Sequence, residues 1–164
     1  NGGGGMVLHN ASPIMTNVII TKNKLSGGYW VGGGGMFISS SSPTMINMTI
    51  SDNTANVLGG GIVLNNSPLT TFLNSILWNN SPNDIISNGS DPIATITYSN
   101  IQQFVFYGEG NKKEEPLFVD PENSDYHLQE SSPCIDAGNP DPQYNDTDES
   151  RNDMGAYGGP GGNR

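Results

Sequence analysis

Between Ile14 and Trp78 the apolar side chains alternate with polar ones inside short runs, and the runs themselves recur. Val18 and Ile20, Met48 and Ile50, and Leu77 fall on one parity, with Thr49 and Ser51 on the other. A period of two belongs to a strand with one face turned inward, and the 3.6-residue spacing of an amphipathic helix is missing. The pattern therefore predicts strands, with Thr49 and Ser51 pointing to solvent. Each long run follows a shorter, glycine-led one, such as 35–38, across a Ser-Ser-Pro corner. Gly33, Gly34 and Gly35 are expected to permit sharp backbone bends, and Pro13, Pro43 and Pro68 to fix the opposite corner without donating a hydrogen bond.

The runs form a repeat. Residues 3–23 superpose without a gap on 33–53 at an offset of 30. A third copy spans 59–80, its glycines offset by 26 and its Asn74 and Asn80 by 27. A degraded fourth turn is legible over 84–102, where Ile85-Ile86 replaces the glycine-led strand. Such a period marks a solenoid, whose units bury apolar faces only by stacking. The predicted fold is all-β: a single-stranded, right-handed parallel β-helix of about four coils over 1–102, its hand following the crossover rule. Residues 103–164 then form an irregular acidic cap at the C-terminal end of the same domain. Asn17, Asn47 and Asn74 align, as do Asn23, Asn53 and Asn80. An amide is both donor and acceptor, so each column is expected to form a ladder along the stack.

The GGGM strand, the SSPT corner and the run from Asn47 to Asn53 resemble the right-handed parallel β-helix repeats of the pectate-lyase-like superfamily. The tail, EPLFVDPENSDYHLQESSPCIDAGNPDP followed by RNDMGAYGGP, resembles the closing segment of large secreted bacterial β-helix proteins. That resemblance implies a secreted or cell-surface setting. It implies fold more firmly than activity, since the superfamily contains lyases, hydrolases and adhesins.

Charge narrows the function classes. The chain of 164 residues has 6 Lys+Arg against 16 Asp+Glu, a net charge of -10. Six scattered cations build no basic patch, which argues against nucleic acid and anionic membrane surfaces. No apolar run is long enough to span a bilayer. Up to residue 100 the only charges are Lys22, Lys24, Asp52, Asp84 and Asp91. A lyase needs a base and a group that neutralises a uronate, and a glycosidase needs two carboxylates across a groove. Lys22, Asp52 and Asp84 are the candidate catalytic residues, the other and favoured reading of Lys22 and Asp52 being a cross-coil ion pair. Tyr29, Trp30 and Trp78 are candidates for stacking on a surface polysaccharide.

In the tail, Asp146, Asp148 and Asp153 are candidate ligands for a structural calcium, since Asp146 and Asp148 are spaced like the first positions of a calcium loop. The loop lacks the glycine and glutamate of an EF-hand, and the other reading is solvated acids with Arg151 paired to one of them. No other cofactor is expected. Neither His9 nor His127 sits in a spaced pair suited to zinc. The lone Cys134 reads as a buried hydrophobe.

The leading functional reading is a non-catalytic secreted or surface module: a stalk, adhesin or filament subunit. A carbohydrate-active enzyme with its groove in upstream coils, or a sugar-binding module, is the alternative. The opening residues read as internal to a longer chain. Asn1 to His9 are thus expected to meet upstream coils or an identical subunit stacked end to end.

Overall fold

The computed structural model describes residues 2–27, 32–88, 94–103 and 108–163. Four rungs stack, so the chain makes about three full turns between the first and the last. Rung one holds β1 (Gly2–Gly3), β2 (Met6–His9), β3 (Ile14–Thr21) and β4 (Lys24–Leu25). Rung two holds β5 (Gly32–Gly33), β6 (Met36–Ser39), β7 (Thr44–Ser51) and β8 (Thr54–Ala55). In rung three, β9 (Ile62–Asn65) is followed by β10 (Thr71–Leu73) and β11 (Ile76–Trp78), and in rung four β12 (Ile85–Asn88) by β13 (Thr95–Thr97) and β14 (Asn100–Ile101). All pairing between rungs is parallel.

Register places like on like. Met36 lies between Met6 and Ile62, Met45 between Met15 and Phe72, and Ile50 between Ile20 and Leu77. These inward side chains form one narrow core along the stack, and Met36, Met48, Ile50 and Leu77 are fully buried. Each rung alone encloses too little apolar surface to fold, which is why the stack is the unit of stability.

The corners differ from the expectation. Three columns of residues sit in the left-handed region: Asn10, Ser40 and Asn66; Asn17, Asn47, Asn74 and Tyr98; Lys22, Asp52 and Asn79. The bends are thus made by side-chained residues, chiefly asparagine, which tolerates this conformation better than most. The long run is itself bent at its asparagine. Gly33, Gly34 and Gly35 instead provide room: a Cβ on Gly35 would stand 2.7 Å from the carbonyl oxygen of Gly61. Pro13 and Pro43 share a corner, where Thr44 N donates to Pro13 O and Thr71 N to Pro43 O. The register gives Thr70, not Pro68, as the counterpart of Pro43.

Most of the acidic tail also lies elsewhere than at the end of the stack. Residues 108–114 do stack on rung four at the end of the solenoid, with Tyr98 N donating to Glu109 O and Ile101 N to Lys112 O. The following chain runs along the side of the solenoid. It forms an antiparallel hairpin of β15 (Phe118–Asp120) and β16 (Asp125–Leu128), and then irregular turns. A second apolar cluster joins Ile76 and Trp78 of β11 to Phe118, Tyr126, Cys134 and Met154 of the tail. Thr49 and Ser51, expected in solvent, are 1% exposed for this reason. Alternation gives the parity of a side chain, not whether its face is covered.

Candidate functional site

The two asparagine columns have different partners. Asn23 Nδ2 donates to Asn53 Oδ1 at 3.0 Å, and Asn53 Nδ2 to Asn80 Oδ1 at 2.9 Å, with the backbone N–H of Asn23 and Asn53 sharing the same acceptors. Asp84 terminates this row: its Oδ1 accepts from Asn80 Nδ2 at 2.8 Å and its Oδ2 from Gln103 N at 3.0 Å. A carboxylate fits the last position because both of its oxygens accept.

The column of Asn17, Asn47 and Asn74, expected to bond up and down the stack, faces the tail instead. Asn17 Nδ2 donates to Ala156 O and Gly158 O, and Asn47 Nδ2 to Asp153 O and Gly155 O. Asn74 Oδ1 accepts from Asn139 N at 2.7 Å. Rung four joins in through Asn100, whose Nδ2 donates to Glu114 O and contacts Cys134 Sγ at 3.1 Å. A bent strand turns its amide outward, and the tail meets that amide at rungs one to three; at rung four the bend residue is Tyr98 and the contact passes to Asn100, two positions on. Two serine columns, which sequence reasoning missed, tie the rungs together: Ser41 with Ser67, and Ser75 with Ser99, each hydroxyl accepting the backbone N–H of the rung below. Their signal was the offsets of 26 and 24, read only once the register is known.

Of the catalytic candidates, Asp84 is 2% exposed and held in the asparagine row. Burial pushes its carboxyl above the ordinary carboxylate range, against the hydrogen bonds from Asn80 and Gln103. Asp52 has other partners: Tyr126 O–H donates to its Oδ2 at 2.7 Å and Asn79 Nδ2 to its Oδ1. The two carboxylates, expected to approach each other from successive coils, share no partner among the described residues. Lys22 forms no ion pair with Asp52; its ammonium donates to Glu122 O and Ser124 Oγ in the hairpin turn.

Trp78 is 9% exposed and packs in the second cluster, while Tyr29 and Trp30 lie outside the described residues. Asp146 accepts from the backbone N–H of Asp153, and Asp153 Oδ1 from Asp136 N at 2.7 Å, so these carboxylates order tail backbone. Asp148 accepts from Ser150 N and Oγ. Among the described residues no three His, Cys, Asp or Glu side chains group as a metal site. Arg151 turns to the carbonyls of Gly138 and Ala137. Cys134 is fully buried, and burial pushes its thiol up to about 11. His127 Nδ1 lies 2.6 Å from Asp125 Oδ1, and this bond holds the Asp125 carboxyl below its usual range.

One concavity gathers several of these groups. Asp52, Trp78, Asn79 and Gln102 of the solenoid face Glu115 and Phe118 of the tail around a groove of about 270 Å³. A larger apolar cavity of about 340 Å³ lies between Leu25, Ala55, Val57 and Leu58.

The position of Asp84 gives a pH dependence with a definite sign. The folded chain holds this proton more tightly than the unfolded chain, so the stability it contributes is complete below the unfolded-state pKa of 3.8 and is lost as pH rises through the folded-state value. Asp84→Asn removes the titration and keeps an oxygen for Asn80. The melting temperature of the native chain minus that of Asp84→Asn is expected to fall as pH is raised from about 3.5 to about 7. A constant difference across that range would show that the ladder does not desolvate the carboxylate.

Parallel rungs with stacked bends, internal rows of asparagine and serine, and a core continuous through the stack define a parallel β-solenoid. A family model described as right-handed beta helix region matches residues 1–110. The chain belongs to that right-handed β-helix family. No curated protein and no solved structure matches it.

Proposed function

We propose that the chain is a non-catalytic, rigid β-helix module of a secreted or cell-surface protein, serving as a stalk or adhesin segment. The observation that carries this reading is the tail's attachment at all four rungs, through Asn17, Asn47, Asn74 and, against Cys134 Sγ, Asn100. A bare solenoid holds each rung only to its neighbours. A strap bonded to every rung makes rung-by-rung peeling cost the strap as well. Pulling single molecules from their two ends is expected to give one unfolding event for the whole unit, whereas sequential loss of rungs at low force would overturn the reading.

A second reading, a carbohydrate-active enzyme, is favoured by the carboxylates of Asp52 and Glu115 around the groove beside Trp78. Incubation with a panel of neutral and uronate polysaccharides discriminates the two. The module reading expects no new reducing ends and no unsaturated uronate; release of either product replaces it with the enzyme.

A further inference from the structure

The groove between the bend column and the tail hairpin holds polar groups that the fold leaves unused. Trp78 is nine-tenths buried, yet its indole N–H has no hydrogen-bond partner among the described residues, and it lines the groove. Gln102 spends its Oε1 on Asn79 N at 2.7 Å, leaving its Nε2 hydrogens to the groove. Glu115 is exposed on the opposite wall, and its carboxylate takes part in no ion pair or hydrogen bond among the described residues. The Asp52 carboxylate is fixed in place by Tyr126 and Asn79, with lone-pair capacity remaining. Both formal charges on the lining are negative. The cation of the same bend column, Lys22, is turned away to the hairpin turn.

We propose that this groove binds a lysine or arginine side chain presented by a basic peptide segment of a partner protein. The ammonium or guanidinium takes the carboxylates of Glu115 and Asp52 and the faces of Trp78 and Phe118, where a cation is drawn to the ring quadrupole. The peptide carbonyls beside it accept from the Trp78 indole N–H and the Gln102 amide. A neutral sugar would match the donors and the rings and give its hydroxyls to the carboxylates, but only a cation also neutralises their charge, and a net charge of -10 steers basic partners toward the chain. About 270 Å³ suits one side chain with its flanking peptide groups, below the usual range for larger ligands.

The probe is Nα-acetyl-lysine methylamide, titrated into the full chain labelled with nitrogen-15, with glucose and glucosamine as competitors. The Trp78 indole and Gln102 side-chain cross-peaks are expected to shift saturably with the probe, and less so at high salt. Glu115→Gln, a change at an exposed side chain with no fold contact, is expected to weaken binding about three- to five-fold while leaving the melting temperature unchanged. Phe118, in the second core, is left intact so that folding is not at issue. Unshifted cross-peaks, an unchanged affinity in Glu115→Gln, or stronger shifts with glucose or glucosamine than with the lysine probe would each overturn the assignment. These readouts are independent of the pulling and product-release measurements, so either conclusion can fail alone.

Discussion

Replacing Asn47 by alanine is expected to destabilise the fold by about 4 kcal/mol, among the largest effects of any single side-chain truncation in the chain. The side chain is 2% exposed and donates to Asp153 O at 3.0 Å and to Gly155 O at 3.1 Å. It also accepts from Asn152 Nδ2 at 3.3 Å. Truncation leaves the Asp153 carbonyl without its donor, at about 1–3 kcal/mol, takes a further bond of about 1 kcal/mol from Gly155 O, which keeps the Gly158 N–H, and keeps a φ of 50° that alanine adopts at a cost of about 1 kcal/mol. Asn47→Gly removes the conformational part alone and is expected to recover about 1 kcal/mol. Urea unfolding measures the sum, and hydrogen exchange at Gly155 and Ala156 reports the tail. A loss below about 1 kcal/mol with unchanged protection there would mean that the tail is held by its apolar cluster and not by this column.

Gly34→Ala is expected to prevent folding or to cost more than about 4 kcal/mol. A methyl there would meet the Gly60 carbonyl of the next rung and stand 2.5 Å from the carbonyl oxygen of Thr54. Both neighbours are backbone inside paired rungs, so neither can rotate away as a flexible side chain would. Gly27, where a methyl would meet nothing within 4 Å, is the control. Gly27→Ala is expected to change stability by less than about 0.5 kcal/mol. Circular dichroism and soluble yield of the two variants would decide it, and a well-folded Gly34→Ala chain would show that the rungs separate there more easily than their spacing implies.

The repeat, the inward parity of Met48, Ile50 and Leu77, and the stacking of coils are legible in the sequence because each recurs at a fixed offset. What sequence does not separate is the two asparagine columns. Asn47 and Asn53 are both aligned amides, and only the left-handed bend at Asn47 sends its side chain outward to the tail, while Asn53 stays within the stack. Thr49 and Ser51 mislead for a related reason, since their parity is right and their covering comes from the distant tail, which reaches Thr49 through the N–H of Ala156 and lies beside Ser51 at Phe118 and Pro121. The glycines are conspicuous yet ambiguous, because close approach of two backbones and freedom in φ leave the same letter. Of the groove, Asp52 and Trp78 stand out separately, but nothing in spacing joins them to Gln102 and Glu115. That juxtaposition exists only when the tail folds back.

The descending tail has one more consequence, for how such a chain can evolve. Repeat arrays ordinarily gain and lose units freely, because every interior coil offers the same two faces to its neighbours. Here the segment from Cys134 to Gly158 reaches from rung four down to rung one and meets a fixed partner at each level. A duplicated coil would lengthen the wall without lengthening what lies against it, and a deleted coil would leave slack. The tail acts as a ruler, and the number of coils it spans is set by its own length.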